Sequence, residues 1–305
     1  IPVCNYDIVA LVHSMKSCIG KVPEFLEILI GDDGSAPDFR NKYKSLEEPG
    51  VRLIVSEKNI GRAAIRNKLV LEAKGDYLLF IDADAMIPGT AEAYITKWLP
   101  YVSKARVICG GILYHKSPPG DPDKILRWKI GWKREQRKAG EREKHPYTLF
   151  STFNVMIDRT VFSKLRFNEE LKQYGFEDRL LSYQLKKAGI KILHIDNGLF
   201  HEGLESNKEF LNKTKLGLEN LSRLYDSVTD KRTFASTVRI LRLYNRLALF
   251  RLTLLLAGFY IRYKDKMEIK LDSPNPSLIL FSLYKVCMFC TFREIHRRRK
   301  ILPIF

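Results

Sequence analysis

Two acidic pairs, one Glu-Asp step and a single histidine could do chemistry in this 305-residue chain. Asp82-Ala83-Asp84 sets two carboxylates around one residue, directly after the apolar run Tyr77–Ile81. Carboxylates at a strand end can face one cleft. A hard divalent cation with open coordination positions takes such oxygens and completes its shell with phosphate oxygens. A turn that simply favours aspartate is the plainer alternative. The companion Asp32-Asp33-Gly34-Ser35, after another strand-like run, favours the cation-and-phosphate reading. Glu177-Asp178 begins a helical stretch after Tyr174-Gly175-Phe176. A carboxylate there either complements the helix dipole or accepts a proton from an attacking hydroxyl. His201 is expected on a loop, where an imidazole beside the acidic pair could be a further ligand for Mn2+ or a similar ion. A lone exposed histidine without a role is the alternative.

These residues need strands and helices to hold them. Phe25–Ile30, Val51–Val55, Tyr77–Ile81 and Val107–Leu113 read as strands, alternating with helical patterns over Gly61–Lys74 and Thr90–Tyr101. That alternation predicts parallel βαβ units, whose ligands collect beyond the carboxyl ends of the strands. Lys116–Pro146 interrupts the rhythm with a turn-rich loop and a basic helix carrying Trp128 and Trp132. Phe150–Ile157 and Ile190–Ile195 then read as strands, with helices at Arg159–Leu165 and Glu177–Ala188. From Asn207 onward, long helices are expected over Asn207–Tyr225, Arg232–Lys264 and Ser277–Arg299.

Six segments in order resemble family 2 glycosyltransferases of the GT-A fold: Ile1–Asn5, Glu27–Ser35, Asn59–Asn67, Gly75–Asp84, Gly175–Asp178 and Phe200-His201. The resemblance implies an α/β fold with a Rossmann-like mixed sheet flanked by helices, over a catalytic domain of residues 1–205. Residues 1–111 would be its nucleotide-binding half and 112–205 its acceptor half, with a helical basic region at 206–305. It implies an inverting transferase of hexose or N-acetylhexosamine, taking a sugar from a nucleotide sugar, usually UDP-linked, to a hydroxyl of a glycan or lipid-linked glycan. Pro2, Asn5, Asp32, Asp33, Asn59, Arg62, Asp82 and Asp84 would bind the donor. Asp84 and His201 would hold Mn2+ or Mg2+. Asp178, beside Glu177, would be the general base, and Trp128 and Trp132 would face the acceptor. Cys4 stands where many members carry an aromatic residue, and Phe176 where many have a small residue or tryptophan. The same fold reduced to an inactive sugar-nucleotide-binding scaffold is the alternative, which the intact Asp84, Asp178 and His201 disfavour.

Charge adds partners. Of the net +17, Lys231–Phe305 carries 16 basic against 4 acidic residues and Lys116–Lys144 carries 10 against 5. The rest of the chain is balanced, so the excess points to an anionic partner rather than to the chemistry itself. No RNA- or DNA-binding signature accompanies it, and nucleic acid is not expected. At ~20 residues per bilayer crossing, neither Leu247–Ile261 nor Ser277–Phe292 spans a membrane. Basic helices at an anionic membrane surface, clamped by Arg297–Lys300, are expected, against a helical bundle packed on the rest of the protein or on a second subunit. Five irregularly spaced cysteines form no disulfide framework, and Cys287 and Cys290 read as plain buried residues. A cytoplasmic protein, peripheral at the cytoplasmic face, follows as the expectation. The opening at Ile1 reads as the inside of a strand, so a short preceding segment is expected.

Overall fold

A computed structural model describes residues 1–170 and 175–301, with residues 298–301 described by backbone alone. The chain divides into two compact units. The first comprises Ile1–Tyr114, Glu135–Lys172 and Leu180–Gly203; the second comprises His115–Arg134, Gln173–Arg179 and Leu204–Phe305.

The first unit begins with β1 (Pro2–Val3), α1 (Val9–Lys16), β2 (Ile28–Asp33), α2 (Pro37–Lys44), β3 (Val51–Ser56) and α3 (Arg62–Glu72). It continues through β4 (Tyr77–Ile81), β5 (Ala85–Met86), α4 (Ala91–Thr96), β6 (Val107–Cys109) and β7 (Ile112–Leu113). After α5 (Ile125–Ile130), which belongs to the second unit, come α6 (Ala139–Glu143) and β8 (Asn154–Asp158). Then follow α7 (Glu177–Lys187), β9 (Ile192–His194) and β10 (Leu199–His201). The first turn of α7 groups with the second unit.

Three sheets form. β1, β2 and β3 are parallel, with Val3 opposite Asp32 and Asp33 opposite Ser56. The second sheet runs β4-β8-β6-β9, with β8 antiparallel to both its neighbours and β9 parallel to β6. In the third, β10 lies between β5, antiparallel, and β7, parallel. The mixed sheet that the family resemblance implies is therefore present, and the parallel βαβ units suggested by the strand–helix alternation make up only part of it. β8 follows the basic insert and enters between β4 and β6 in the opposite direction. One apolar cluster centres on the buried Trp98, Tyr43 and Ile30, and a second on Phe80, Phe162 and Phe167, whose rings meet at 5.8–5.9 Å.

Other boundaries differ from the sequence reading for physical reasons. The strand expected at Phe25–Ile30 runs Ile28–Asp33, so both aspartates lie inside it rather than on the following loop. Each is buried with hydrogen-bond donors waiting, which offsets the low strand preference of Asp. Val107–Leu113 splits at Gly110-Gly111, where the Gly110 amide donates to the Asn154 carbonyl and the Asn154 side-chain amide donates to the Gly111 carbonyl.

The second unit contains α5, α8 (Asn207–Ser227), α9 (Lys231–Thr237), α10 (Arg239–Leu249), α11 (Thr253–Leu271) and α12 (Leu278–Ile301). A capping box opens α8: the Ser206 hydroxyl accepts from the Glu209 amide while the Glu209 carboxylate accepts from the Ser206 amide. The helix expected over Arg232–Lys264 is broken twice. Ser236 and Thr237 turn their hydroxyls back to the carbonyls of Thr233 and Phe234, and Val238 is extended, which ends α9. Arg251, at φ 56°, ends the next segment. Buried Cys287 and Cys290 sit in α12 beside the edge-to-face pair Tyr244–Phe289, and all five cysteines are free. Among the described residues no helix is long and apolar enough to cross a membrane. The side chains of Arg298, Arg299 and Lys300 lie outside the described residues.

Candidate functional site

The carboxyl ends of β1, β2 and β3 gather the first group of expected donor-binding residues. Asp32 is fully buried. Its carboxylate accepts from the Ser35 amide at 2.9 Å and from Arg40 Nε at 3.0 Å. Asp33 accepts from the amides of Ile60 (2.6 Å) and Gly61 (3.1 Å), tying the Asn59–Gly61 segment to the strand end. Burial pushes the Asp33 carboxyl above the usual carboxylate range, against those two amide donors. Both aspartates therefore shape the loops around them. Pro2 lies in β1 opposite Gly31. Asn5 follows at φ 51°, its amide donating to Ser35 Oγ and its side-chain oxygen accepting from the Ala36 amide. Asn59 is exposed and donates to the exposed Cys4 Sγ at 3.5 Å. Tyr6, not singled out from sequence, is exposed at the same rim; burial and the nearby Asp84 and Glu202 raise its hydroxyl pKa.

The second group lies where β4 ends and β5 pairs with β10. The loop expected around His201 is in fact the last residue of β10, directly opposite Ala85. That pairing sets His201 Nε2 3.4 Å from Asp84 Oδ2. The imidazole packs on Tyr114, stacked at 5.6 Å, and on Phe153, tilted at 5.5 Å, and the Tyr114 hydroxyl donates to Glu135 at 2.5 Å. A β-carbon on Gly203 would collide with the Asp84 carboxylate, so only glycine leaves room for that side chain. Asp82 is held differently: Arg66, 1% exposed, donates to its Oδ1 at 2.7 Å and stacks its guanidinium on Phe167. Arg62 is exposed in the first turn of α3, and its charge pulls the Asp84 pKa down.

Burial outweighs these cations. It raises the Asp84 carboxyl above its ordinary value, with His201 and Arg62 opposing and Asp82 assisting. A carboxylate kept in a place that disfavours its charge is relieved by a cation. Asp84 and His201 fit a divalent ion, as one oxygen and one nitrogen donor on a common side. Among the described residues no group of three or more His, Cys, Asp or Glu side chains gathers around one point. An ion held here would keep open positions for oxygens from outside the protein.

In the second unit, Gly175 (φ 93°) and Phe176 (φ 72°) both adopt left-handed backbone immediately before α7. For the bulky Phe176 that conformation is strained, and such strain concentrates at functional positions. α8 holds the turn: Asn220 Nδ2 donates to the Gly175 carbonyl at 2.9 Å, and a β-carbon at Gly175 would meet Gly217 Cα at 3.3 Å. Glu177 is buried and Asp178 half-buried in the first turn of α7. Tyr174 lies outside the described residues.

Trp128 and Trp132, also in the second unit, stack face to face at 5.4 Å with an interplanar angle of 7°. Trp128 is buried and donates its indole N–H to the His115 carbonyl; Trp132 is half-buried with Lys133 over its ring. Part of the basic insert is internal. Arg127 pairs with Glu205, while Arg142 caps the strand ends of the first unit by donating to the carbonyls of Cys109, Gly110 and Ile195. The supporting residues Arg40, Arg66, Tyr114, Phe153, Gly203, Gly217 and Asn220 were not anticipated. An arginine inside the apolar face of α3 was the one visible signal among them.

A family model described as glycosyl transferase family 2 matches residues 1–166. A cholesterol galactosyltransferase of Borreliella burgdorferi is 21% identical over 252 residues, which cover 73% of this chain and 66% of that protein. A mannosyltransferase from Pyrobaculum calidifontis, solved in complex with GDP-Man and Mn2+, superposes with a TM-score of 0.54 at 12% identity, over 98% of this chain and 86% of that one. Its likeness is one of fold.

Proposed function

The chain belongs to glycosyl transferase family 2 with a GT-A fold, and from that premise we propose that it transfers a hexosyl or N-acetylhexosaminyl group from a UDP-sugar to a hydroxyl of a glycan or lipid-linked glycan, with inversion. The observation that carries the reading is the Asp84–His201 pair at two facing strand ends, beside an Asp82 clamped by Arg66.

In this reading, Pro2, Asn5 and Asn59 border the base and ribose, and Asp32 and Asp33 fix the loops that do so. Asp82, with one oxygen committed to Arg66, contacts the ribose or sugar with the other. Arg62 meets the diphosphate. A divalent ion, Mn2+ or Mg2+, held by Asp84 and His201 would take up negative charge on the departing nucleoside diphosphate. Asp178 accepts the proton of the acceptor hydroxyl as its oxygen bonds to the anomeric carbon. The bond from that carbon to the diphosphate oxygen breaks on the opposite face, so configuration inverts. The strained turn before α7 supports this role, because a base fixed by helix and turn needs little reorganisation. Glu177, buried beside it, is a positioning residue. Trp132 offers the more open indole face for an acceptor sugar, backed by Trp128.

The partners extend to an anionic membrane surface, met through the C-terminal helices at the cytoplasmic face. The test of the chemical proposal is Asp178→Asn. Transfer should be lost while UDP binding persists, and near-normal turnover in that variant would remove Asp178 as the base.

A further inference from the structure

The uncharged run Leu252–Ile261 lies between Arg251 and Arg262. In the folded chain it is the N-cap and first nine residues of α11, directly after the turn from α10, and its apolar side chains are not all inside. Thr253, Ala257 and Tyr260 begin the buried stripe of α11, which Met267 and Leu271 continue. Leu254 is 58% exposed, Leu255 68% and Ile261 67%, and before the turn Leu249 and Phe250 reach 78% and 71%. Large aliphatic side chains grouped this way are costly to leave in water.

The rim has one sign. From Arg239 to Lys264 every charged residue is basic, and Arg246, Arg251, Arg262 and Lys264 are exposed. The turn itself keeps an arginine where glycine is usual. α10 ends as the Leu252 amide donates to the Leu247 carbonyl and the Arg251 amide to the Ala248 carbonyl, with Arg251 at φ 56°. This termination favours glycine at the left-handed residue. Holding arginine there costs strain and puts a guanidinium at the apex, between Phe250 and Leu252. The exposed face changes character farther along α11, where Arg262, Lys264, Asp265 and Lys266 face water. An apolar end about 15 Å long is thus bounded by cations on both sides.

We infer that the α10–α11 apex, Leu249–Ile261, is a wedge that enters the interfacial region of an anionic lipid bilayer, with Arg246, Arg251 and Arg262 at headgroup level. The inference rests on the reading that the helical unit meets an anionic membrane, and it assigns that contact to one turn rather than to the basic tail at large. Leucines and a phenylalanine seat ~5–10 Å deep at the headgroup–acyl boundary, while basic side chains pair with lipid phosphates. A second copy of the chain fits less well, because a two-fold contact across the apex would bring like-charged arginines together. Among the described residues no helix is long and apolar enough to span, so the wedge would lie in one leaflet.

Flotation of the full chain with vesicles of phosphatidylcholine, with and without phosphatidylglycerol, tests this at low and high salt. The wild type should float with the anionic vesicles and largely release at high salt. Leu249→Glu/Leu255→Glu should weaken binding about tenfold or more, with an unchanged circular dichroism spectrum and elution volume. Arg246→Gln/Arg251→Gln should bind more weakly and lose most of the salt dependence. If the wild type floats and the leucine variant floats equally, the wedge is overturned and the membrane reading stands. If the wild type fails to float, the membrane reading falls and takes the wedge with it. A wild-type dimer that the leucine variant splits assigns the apex to a second copy and also overturns the wedge.

Discussion

The strand-end site and the helical apex handle charge in opposite ways. At the strand ends each carboxylate has its own device: Arg40 for Asp32, backbone amides for Asp33, Arg66 for Asp82, and a histidine with an empty glycine position for Asp84. In the apex, arginines stand on the surface beside exposed leucines, with no acidic residue between Arg239 and Lys264. The first pattern is what the proposed nucleotide-sugar site would need, with a small partner placed to within an ångström. The second is what the proposed contact with a broad, soft, anionic surface would use. The basic excess is also smaller at the surface than its sum suggests, because Arg127, Arg142 and Arg293 are buried, Arg293 paired with Asp226 at 2.8 Å.

The contrast can be broken first at the chemistry. Asp178→Asn should lower the turnover of sugar transfer by about 10²–10⁴-fold, the range for removing a general base, while calorimetry still detects UDP binding. Removing the buried partner of Asp82 comes next. Arg66→Met should destabilise the fold by about 1–3 kcal/mol, since it removes the charged hydrogen bond to the half-buried Asp82 carboxylate, as chemical denaturation would measure. Gly203→Ala forces the Asp84 carboxylate to move, and Mn2+-supported nucleotide binding should fall about tenfold with little change in stability.

A smaller effect comes from the titration of Asp84. Burial raises the Asp84 pKa in the folded protein above its unfolded value, so the folded state holds that proton more tightly. Ionised Asp84 therefore subtracts from stability, and the loss develops as pH rises from the unfolded value through the folded one. Asp84→Asn should raise the melting temperature of the metal-free protein at neutral pH while abolishing the metal's effect on nucleotide binding. In the wild type, metal-supported binding should fade on acidification at a higher pH than for an ordinary carboxylate. The smallest effect belongs to the apex: Leu249→Glu/Leu255→Glu should change stability by no more than about 0.5 kcal/mol and leave transfer to a water-soluble acceptor intact. A large loss there would erase the distinction between the two regions.

Much of the nucleotide half was legible in the chain because its signals are local. β4 occupies the apolar run Tyr77–Ile81 without a residue's difference, and α3 (Arg62–Glu72) lies within the helical stretch Gly61–Lys74 read from Ala64, Ile65, Leu69 and Ala73, although Ala63 rather than Ala64 is buried. His201 was misassigned to a loop because β10 is short and its partner, Ala85–Met86, is remote in sequence, so no periodicity announces the pair. The helix breaks at Val238 and Arg251 were hidden for another reason. Side-chain hydroxyls competing for carbonyls, and a left-handed arginine, leave no glycine or proline to mark a stop. The shell that orients the acids, Tyr114, Phe153, Gly203 and Asn220, depends on contacts distant in sequence that composition cannot display.

The central claim is that Asp84 and His201 form a cation site on which a nucleotide depends. Thermal denaturation of the wild type, Asp84→Ala and His201→Ala with UDP, in Mn2+ or in EDTA, addresses it most directly. UDP should raise the melting temperature of the wild type in Mn2+ and much less in EDTA, and should lose most of that increment in both variants. Equal stabilisation by UDP in EDTA, or undiminished Mn2+-dependent stabilisation in the two variants, would contradict the account.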